Sequence, residues 1–114
     1  MINQLRIYTV PAANRGPFLD RFRDHAARIM GRYGFRIQAM WMAEGEEGSD
    51  LKFVYLLAWK DRAEMEAQWA AFMADKEWAE IKRQTGAEHG SFVLGIEDLP
   101  LDPVEFSAAI GEAS

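Results

Sequence analysis

Apolar and polar residues alternate along four segments of the chain, and this period of two residues predicts four β-strands. Pro11 ends the first segment, because proline has no backbone N–H to donate to a sheet. Between the second and third segments, residues 44–49 contain only Glu, Gly and Ser, so these two strands are predicted to form a hairpin. The predicted strands cover residues 2–10, 35–43, 52–59 and 89–99.

A helix is predicted between the first and second strands, where apolar residues recur every three or four positions. Asn14 is placed to cap this helix, and Gly34 is placed to end it in a left-handed conformation. The apolar stripe predicts that one side of the helix packs on the sheet. It consists of Phe18, Leu19, Phe22, Ala26, Ile29, Met30 and Tyr33.

A second helix is predicted after the third strand. Asp61 and Glu64 have the spacing of a capping box, in which each side chain accepts a backbone N–H of the first turn. Asp75 predicts a new N-terminus for a further short helix, which Gly86 is expected to end. The apolar stripe of the second helix consists of Met65, Trp69, Phe72 and Met73.

The element order is therefore strand, helix, strand, strand, helix, strand. This βαββαβ order predicts an α+β, ferredoxin-like fold with a four-stranded antiparallel sheet and both helical segments on one face. Residues 1–99 are expected to form this domain, and residues 100–114 a C-terminal tail. In the tail, Asp102, Pro103 and Glu105 predict the start of a helix of about two turns. Phe106 and Ile110 are expected to dock that helix, and Gly111 to end it.

The third strand is apolar on both faces, and residues 92–96 of the fourth strand repeat this pattern. Helices cover only one face of such a sheet, and an exposed apolar face of several hundred Å² is unusual on a soluble monomer. Two sheets packed face to face would cover it, which predicts a homodimer that closes a barrel. The alternative is that the C-terminal tail covers the face within one chain.

Composition and charge indicate which classes of partner, metal and cofactor are not expected. The 114 residues carry a formal net charge of −5, so the broad basic surface that binds nucleic acid is not expected. No apolar run approaches the roughly 20 residues of a membrane span. The chain has no cysteine, and His25 and His89 have no third ligand at a suitable spacing, so neither metal nor cofactor is expected. A cytoplasmic location is expected, because the first residues enter a strand pattern directly.

Four motifs carry a family resemblance. They are residues 4–9 (QLRIYT), the helix that contains Phe18, Phe22 and His25, residues 53–59 (FVYLLAW), and Trp69 followed by residues 75–78 (DKEW). Over residues 3–97 the chain resembles the NIPSNAP family. The resemblance implies the dimeric α/β-barrel superfamily, which includes cofactor-free monooxygenases, haem-degrading enzymes, small-ligand binders and proteins of no known activity.

Four side chains are candidates for a site. Arg6 and Tyr8 share one face of the first strand, where the guanidinium fork and the phenol could bind a ligand oxygen. The structural alternative is that Arg6 forms an interface ion pair and that Tyr8 is a core residue with a hydrogen-bonded hydroxyl. His25 lies at the edge of the apolar stripe of the first helix, and the family resemblance also implies a histidine at this position. It could contact a ligand, act as a general acid or base, or donate a structural hydrogen bond. Tyr8 and His25 are the candidate catalytic groups. Trp41, near a strand end, is the candidate for an apolar pocket wall.

Two functions remain open from the sequence. The first is a homodimer that binds a small, largely apolar molecule between helices and sheet through Arg6, Tyr8, His25 and Trp41. Cofactor-free, monooxygenase-like chemistry is compatible with such a pocket. The alternative is a non-catalytic protein-interaction or stress-associated module. The sequence alone does not decide whether the protein is an enzyme.

Overall fold

The computed structural model describes residues 1–108, and it has the predicted order of strands and helices. The first helical segment is continuous but contains a π-helical turn at Phe22–Ala26. The elements are β1 (Ile2–Val10), a 3₁₀ turn (Ala12–Asn14), α1 (Arg15–Arg21), α2 (Ala27–Arg32), β2 (Arg36–Ala43), β3 (Leu51–Trp59), α3 (Arg62–Met73), α4 (Lys76–His89) and β4 (Gly95–Leu101).

The four strands form one sheet in the order β2-β3-β1-β4, and every neighbouring pair is antiparallel. Strands β1 and β3 lie in the centre, with Ile2 opposite Trp59 and Val10 opposite Leu51. A bulge between Ile37 and Ala39 shifts the register of β2. This topology confirms the α+β, ferredoxin-like fold predicted from the element order.

The core lies between one face of the sheet and the helices. Alternate residues of the central strands point into it, and they pack against apolar side chains of α1, the π turn, α2, α3 and α4. Burial of these aromatic and aliphatic side chains is the main favourable term for a domain of this size. The largest fully buried side chains are Trp59, Tyr55, Phe18, Phe72, Ile29, Met30, Leu57, Gln4 and Val10.

The boundary between the last helix and the last strand differs from the prediction. Helix α4 continues through Gly86 to His89, and β4 begins only at Gly95. The left-handed residue is Gly90, with a φ of 78°, and its N–H donates to the carbonyl of Gly86 at 2.8 Å. The predicted stop, Gly86, is a helical residue, and Gly90 four positions later ends the helix.

Asn14 is the N-cap residue of α1, as predicted, but its side chain does not bond to the first turn of the helix. Its side chain makes no capping hydrogen bond; Nδ2 donates to the carbonyl oxygens of His89 at 3.1 Å and Ser91 at 2.7 Å. Asn14 thus ties the start of the first helix to the segment that follows α4. This contact joins residues more than 70 positions apart, so local sequence carries no signal for it.

The C-terminal segment forms a turn where a helix was predicted to begin. Asp102 accepts a hydrogen bond from Arg62 at 2.8 Å, and the Ser107 N–H donates to the carbonyl of Val104 at 2.9 Å. Phe106 is 89% exposed. The predicted contact of Ile110 and the stop at Gly111 lie outside the described residues, and the division into residues 1–99 and 100–114 stays a prediction.

The face of the sheet opposite the helices is apolar and largely uncovered within the described chain. Leu5 and Leu56 are paired across β1 and β3, as are Ile7 and Val54, and all four are half-buried. Trp41 is paired with Val54 and is 52% exposed. We call this surface the open face; its apolar side chains are Leu5, Ile7, Ala39, Trp41, Val54, Leu56, Ala58, Leu99 and Leu101.

Candidate functional site

A cavity of about 210 Å³ lies between the helix-facing side of β1 and the helices. Most of its wall is aromatic or aliphatic, and its polar groups are one tyrosine and three cations. Such a cavity, apolar with a few convergent polar groups, is typical of small-molecule sites. Its lining consists of Arg6, Tyr8, Phe18, Arg21, Phe22, Ala26, Met30, Trp69, Phe72, Met73, Trp78, Lys82, Val93 and Ile96.

Arg6 and Tyr8 form the polar part of the sheet wall. The Arg6 Nη2 donates to the Tyr8 hydroxyl at 3.3 Å, and the Tyr8 and Tyr55 hydroxyl oxygens are 2.5 Å apart. Burial raises the pKa of Tyr55 well above its usual value of 10.0, and the adjacent Tyr8 raises it further. Tyr55 is therefore a neutral phenol at physiological pH, able to donate or accept a hydrogen bond.

The Arg6 guanidinium is held on several sides. It stacks on Trp69 with 4.2 Å between the guanidinium carbon and the ring centroid, and its Nη1 lies 3.5 Å from Oδ2 of Asp98. Burial opposes its charge, but Tyr8 and Tyr55 outweigh burial, and the pKa of Arg6 is raised. Its Nε is buried and has no hydrogen-bond partner among the described residues. Arg6 therefore stays charged with spare donor capacity.

Gln4 positions the residues around Arg6. It is only 1% exposed, and its Oε1 accepts hydrogen bonds from the indole N–H groups of Trp59 at 2.9 Å and Trp69 at 2.7 Å. Its Nε2 donates to Oδ1 of Asp98 at 2.7 Å. One amide thus orients both the indole under Arg6 and the carboxylate beside it. Buried polar groups that are satisfied in this way rigidify a site.

Arg21 and Lys82 bring two more cations to the same cavity. The Arg21 guanidinium carbon lies 4.2 Å from the ring centroid of Phe92 and 5.3 Å from that of Trp78. Its Nη1 donates to the Thr85 hydroxyl at 3.1 Å. Burial lowers the pKa of Arg21, although Tyr8 opposes this effect. The cavity wall is thus positively charged at more than one point.

His25 lies away from Arg6 and Tyr8. It lines a separate, polar surface groove of about 230 Å³ together with Asp20, Asp24 and His89. Its Nδ1 accepts a hydrogen bond from Arg28 at 3.4 Å. The expectation that His25 shares a pocket with Arg6 and Tyr8 is therefore wrong for this cavity. His25 was predicted at the edge of the apolar stripe, and this edge faces the polar groove, whereas Ala26, a member of the same stripe, lines the cavity.

Trp41 is also separate from the cavity. It lies on the edge strand β2, where it lines an open apolar groove of about 530 Å³ with Met40, Met42 and Leu19. The structure thus brings together two of the four predicted site residues, Arg6 and Tyr8. It places His25 and Trp41 in two other surface depressions.

Several residues around the cavity were not predicted from the sequence. Gln4 had a signal, because Gln4, Arg6 and Tyr8 stand at every second position of a strand whose partner is apolar. Asp98 and Arg21 had none, since each reaches the site from a distant segment. Trp69 was interpreted as a core residue, and it is both core and cavity wall.

Within residues 1–108 there is no group of three or more His, Cys, Asp or Glu side chains arranged to hold a metal ion. No helix in that part of the chain is long and apolar enough to cross a membrane.

Comparison with known proteins places the chain in a family. A NIPSNAP domain protein from Burkholderia xenovorans is 21% identical, with a TM-score of 0.76 over 96% of this chain and 100% of that one. A NIPSNAP family protein of unknown function from Agrobacterium tumefaciens is 18% identical, with a TM-score of 0.75 over 94% and 91%. An antibiotic biosynthesis monooxygenase is 14% identical, with a TM-score of 0.57 over 91% and 99%.

These likenesses to solved structures show a shared fold. No curated protein matches the sequence. The NIPSNAP family model matches residues 3–108, which is nearly the whole chain. The resemblance noted in the sequence motifs is confirmed, and the chain belongs to the NIPSNAP family.

Proposed function

We propose that this protein binds a small, largely apolar molecule in the cavity between sheet and helices, and that it does so as a homodimer. The observation that carries the proposal is the combination of an aromatic and aliphatic wall with the Arg6–Tyr8 pair on one side. The apolar wall favours a hydrophobic ligand body, and the pair offers donors for one ligand oxygen.

The same arrangement suits cofactor-free, monooxygenase-like chemistry. In such a reaction the substrate itself, as an enolate or phenolate, supplies the electrons to O₂. The protein has to bind that anion, orient it and exclude water. Arg6, which stays charged, and the Tyr8–Tyr55 hydroxyl pair provide donors of the required kind. The proposed function is the binding of a small molecule, and catalytic turnover of a bound molecule requires a separate test.

Homodimer formation is proposed through the open face. Leu99 and Leu101, exposed to 45% and 41%, extend the apolar surface of the central strands to the edge strand β4. The open face and the cavity lie on opposite sides of the sheet. A second copy packed on the open face would therefore leave the cavity accessible.

Ala26 provides a direct test of the binding site. It is 1% exposed and lines the cavity, so Ala26→Leu would place added carbon atoms into the space that the ligand occupies. Ligand-observed NMR with small aromatic and acyl compounds, including cinnamate and cinnamamide, should detect binders of the wild type. We expect Ala26→Leu to abolish their binding, and Ala63→Leu, an exposed change on α3, to preserve it.

Two outcomes would count against the proposal. Equal binding by the wild type and a folded Ala26→Leu protein would show that compounds bind elsewhere. Absence of binding across the whole compound set would favour the alternative, a non-catalytic interaction module.

A further inference from the structure

We propose that the ligand of the cavity is an anion, namely an aromatic or short acyl carboxylate, and that Arg21 binds its carboxylate group. This inference rests on the proposed function and adds a ligand class and a specificity-determining residue to it. Three features support it: the charges of the cavity wall, the lack of an ion pair for Arg21 among the described residues, and the size of the cavity.

The charges of the lining have one sign. Arg6, Arg21 and Lys82 line the cavity, and none of its other lining residues is Asp or Glu. This is notable in a chain with 18 acidic and 13 basic residues and a formal net charge of −5. A wall that combines apolar surface with clustered cations is complementary to an apolar molecule with an anionic group.

Arg21 differs from the other arginines of the described chain. Each of the other arginines has a carboxylate oxygen within 4.0 Å, and Arg21 has none. Arg21 is nevertheless partly buried, between the rings of Phe92 and Trp78. Burying a charge without a counter-ion costs free energy, and a bound carboxylate would supply the counter-ion.

The position of Arg21 is fixed by its neighbours. The Thr85 hydroxyl accepts one of its five N–H groups, and the Phe92 ring stacks on the guanidinium. This leaves N–H groups on a planar fork, which matches the two oxygens of a carboxylate. Tyr8 and Arg6 line the same cavity as Arg21.

The size of the cavity limits the rest of the ligand. About 210 Å³ exceeds the roughly 150 Å³ of an apolar cavity that accommodates benzene, so a substituted ring or a short acyl chain fits. Phe18, Phe22, Met30 and Trp69 provide contacts along its length. A large or highly charged ligand such as a nucleotide is not compatible with these walls.

Isothermal titration calorimetry with a matched pair of compounds tests the inference. Cinnamate and cinnamamide share shape and size, but only cinnamate is charged. We expect the wild type to bind cinnamate at least tenfold more tightly than cinnamamide. Arg21→Gln should weaken cinnamate binding by about tenfold to hundredfold, the value of a charge-assisted hydrogen bond, and leave cinnamamide binding unchanged. Arg21→Lys should retain part of the preference.

Arg83→Gln is the matched control, because Arg83 lies on the exposed side of α4, paired with Glu80 and away from the cavity lining. It should bind both compounds like the wild type. Equal affinity of the wild type for cinnamate and cinnamamide would overturn the anion inference and leave the proposed binding function intact. Equal weakening of both compounds by Arg21→Gln would show that Arg21 supports the fold instead. If neither compound binds, the cavity proposal and this inference both fail for this class of ligand.

Discussion

Tyr8 and Tyr55 form a buried hydroxyl pair, and the protonation of Tyr55 is coupled to folding. Burial is the main cause that raises the pKa of Tyr55 well above 10.0. Tyr8 raises this pKa further, and Arg6 opposes the shift. A folded-state pKa above the unfolded value means that the unfolded chain loses the proton first. The stability linked to Tyr55 is therefore fully present below pH 10.0 and is lost as the pH rises from there towards the folded-state pKa.

Tyr55→Phe tests this coupling. At neutral pH we expect it to lower the free energy of unfolding by about 1 kcal/mol, because it removes the buried hydrogen bond to Tyr8. The difference from the wild type should shrink above pH 10.0, where loss of the Tyr55 proton favours the unfolded state of the wild type alone. Urea denaturation across this pH range measures both effects. A difference that stays constant into the alkaline range would contradict the pKa assignment.

At the scale of single residues, the sequence indicated which side chains could form a site better than it indicated where each side chain lies. Arg6 and Tyr8 were paired correctly because strand geometry sends residues i and i+2 to one face. His25 was misplaced because a residue at the edge of an apolar stripe can face either of two neighbouring depressions, and helical periodicity does not decide between them. The role of Gln4 depends on Asp98, which is 94 positions away. No local pattern encodes such a contact.

Among the elements, β1 and β3 were predicted to within one residue, since they are long and their alternation is strong. The end of α4 was not, because a glycine signals either a helix end or a tolerated helical residue. Gly86 has helical neighbours on both sides, whereas Gly90 has a φ of 78°, a conformation that other L-residues rarely adopt.

Gly90→Ala and Gly86→Ala form a matched pair that distinguishes the two glycines. Neither position has a heavy atom within 4 Å of the added Cβ, so backbone conformation alone decides the outcome. We expect Gly90→Ala to destabilise the fold by about 1–3 kcal/mol. Gly86→Ala should stabilise it by about 0.5–1 kcal/mol, since alanine is the better helix former. Thermal unfolding of both variants measures this, and the opposite ranking would place the helix end at Gly86, as the sequence alone suggested.

On the scale of the whole molecule, the two faces of the sheet differ in what they pack against. The helix side contains the core and the charged cavity, and the open face presents apolar side chains to the outside of the described chain. The double-sided apolar pattern of β3 predicts this difference, because one layer of helices cannot cover both faces. The sequence did not reveal which face holds Arg6 and Tyr8, since both faces of the central strands are apolar enough for a core.

The alternative to a dimer was that the C-terminal tail covers the open face within one chain. The described part of the tail leaves most of that face uncovered. At one end of the sheet, residues of the tail line a depression of about 620 Å³ together with Leu56 and Ala58. Val104 and Phe106 of this tail are 56% and 89% exposed. A second copy of the chain is therefore the better candidate to cover the apolar strands.

Val54→Glu tests the dimer. Val54 lies near the middle of the open face, opposite Ile7 on one side and Trp41 on the other. A glutamate there stays hydrated in a monomer, but it would be buried without a counter-ion between two sheets, at a cost of several kcal/mol. Light scattering at micromolar concentration should give the wild type about twice the chain mass of 13.0 kDa, and Val54→Glu the mass of one chain. Ala63→Glu, an exposed change on α3, should leave the dimer intact. A monomeric wild type, or a folded Val54→Glu protein that still dimerises, would exclude the open face as the dimer interface.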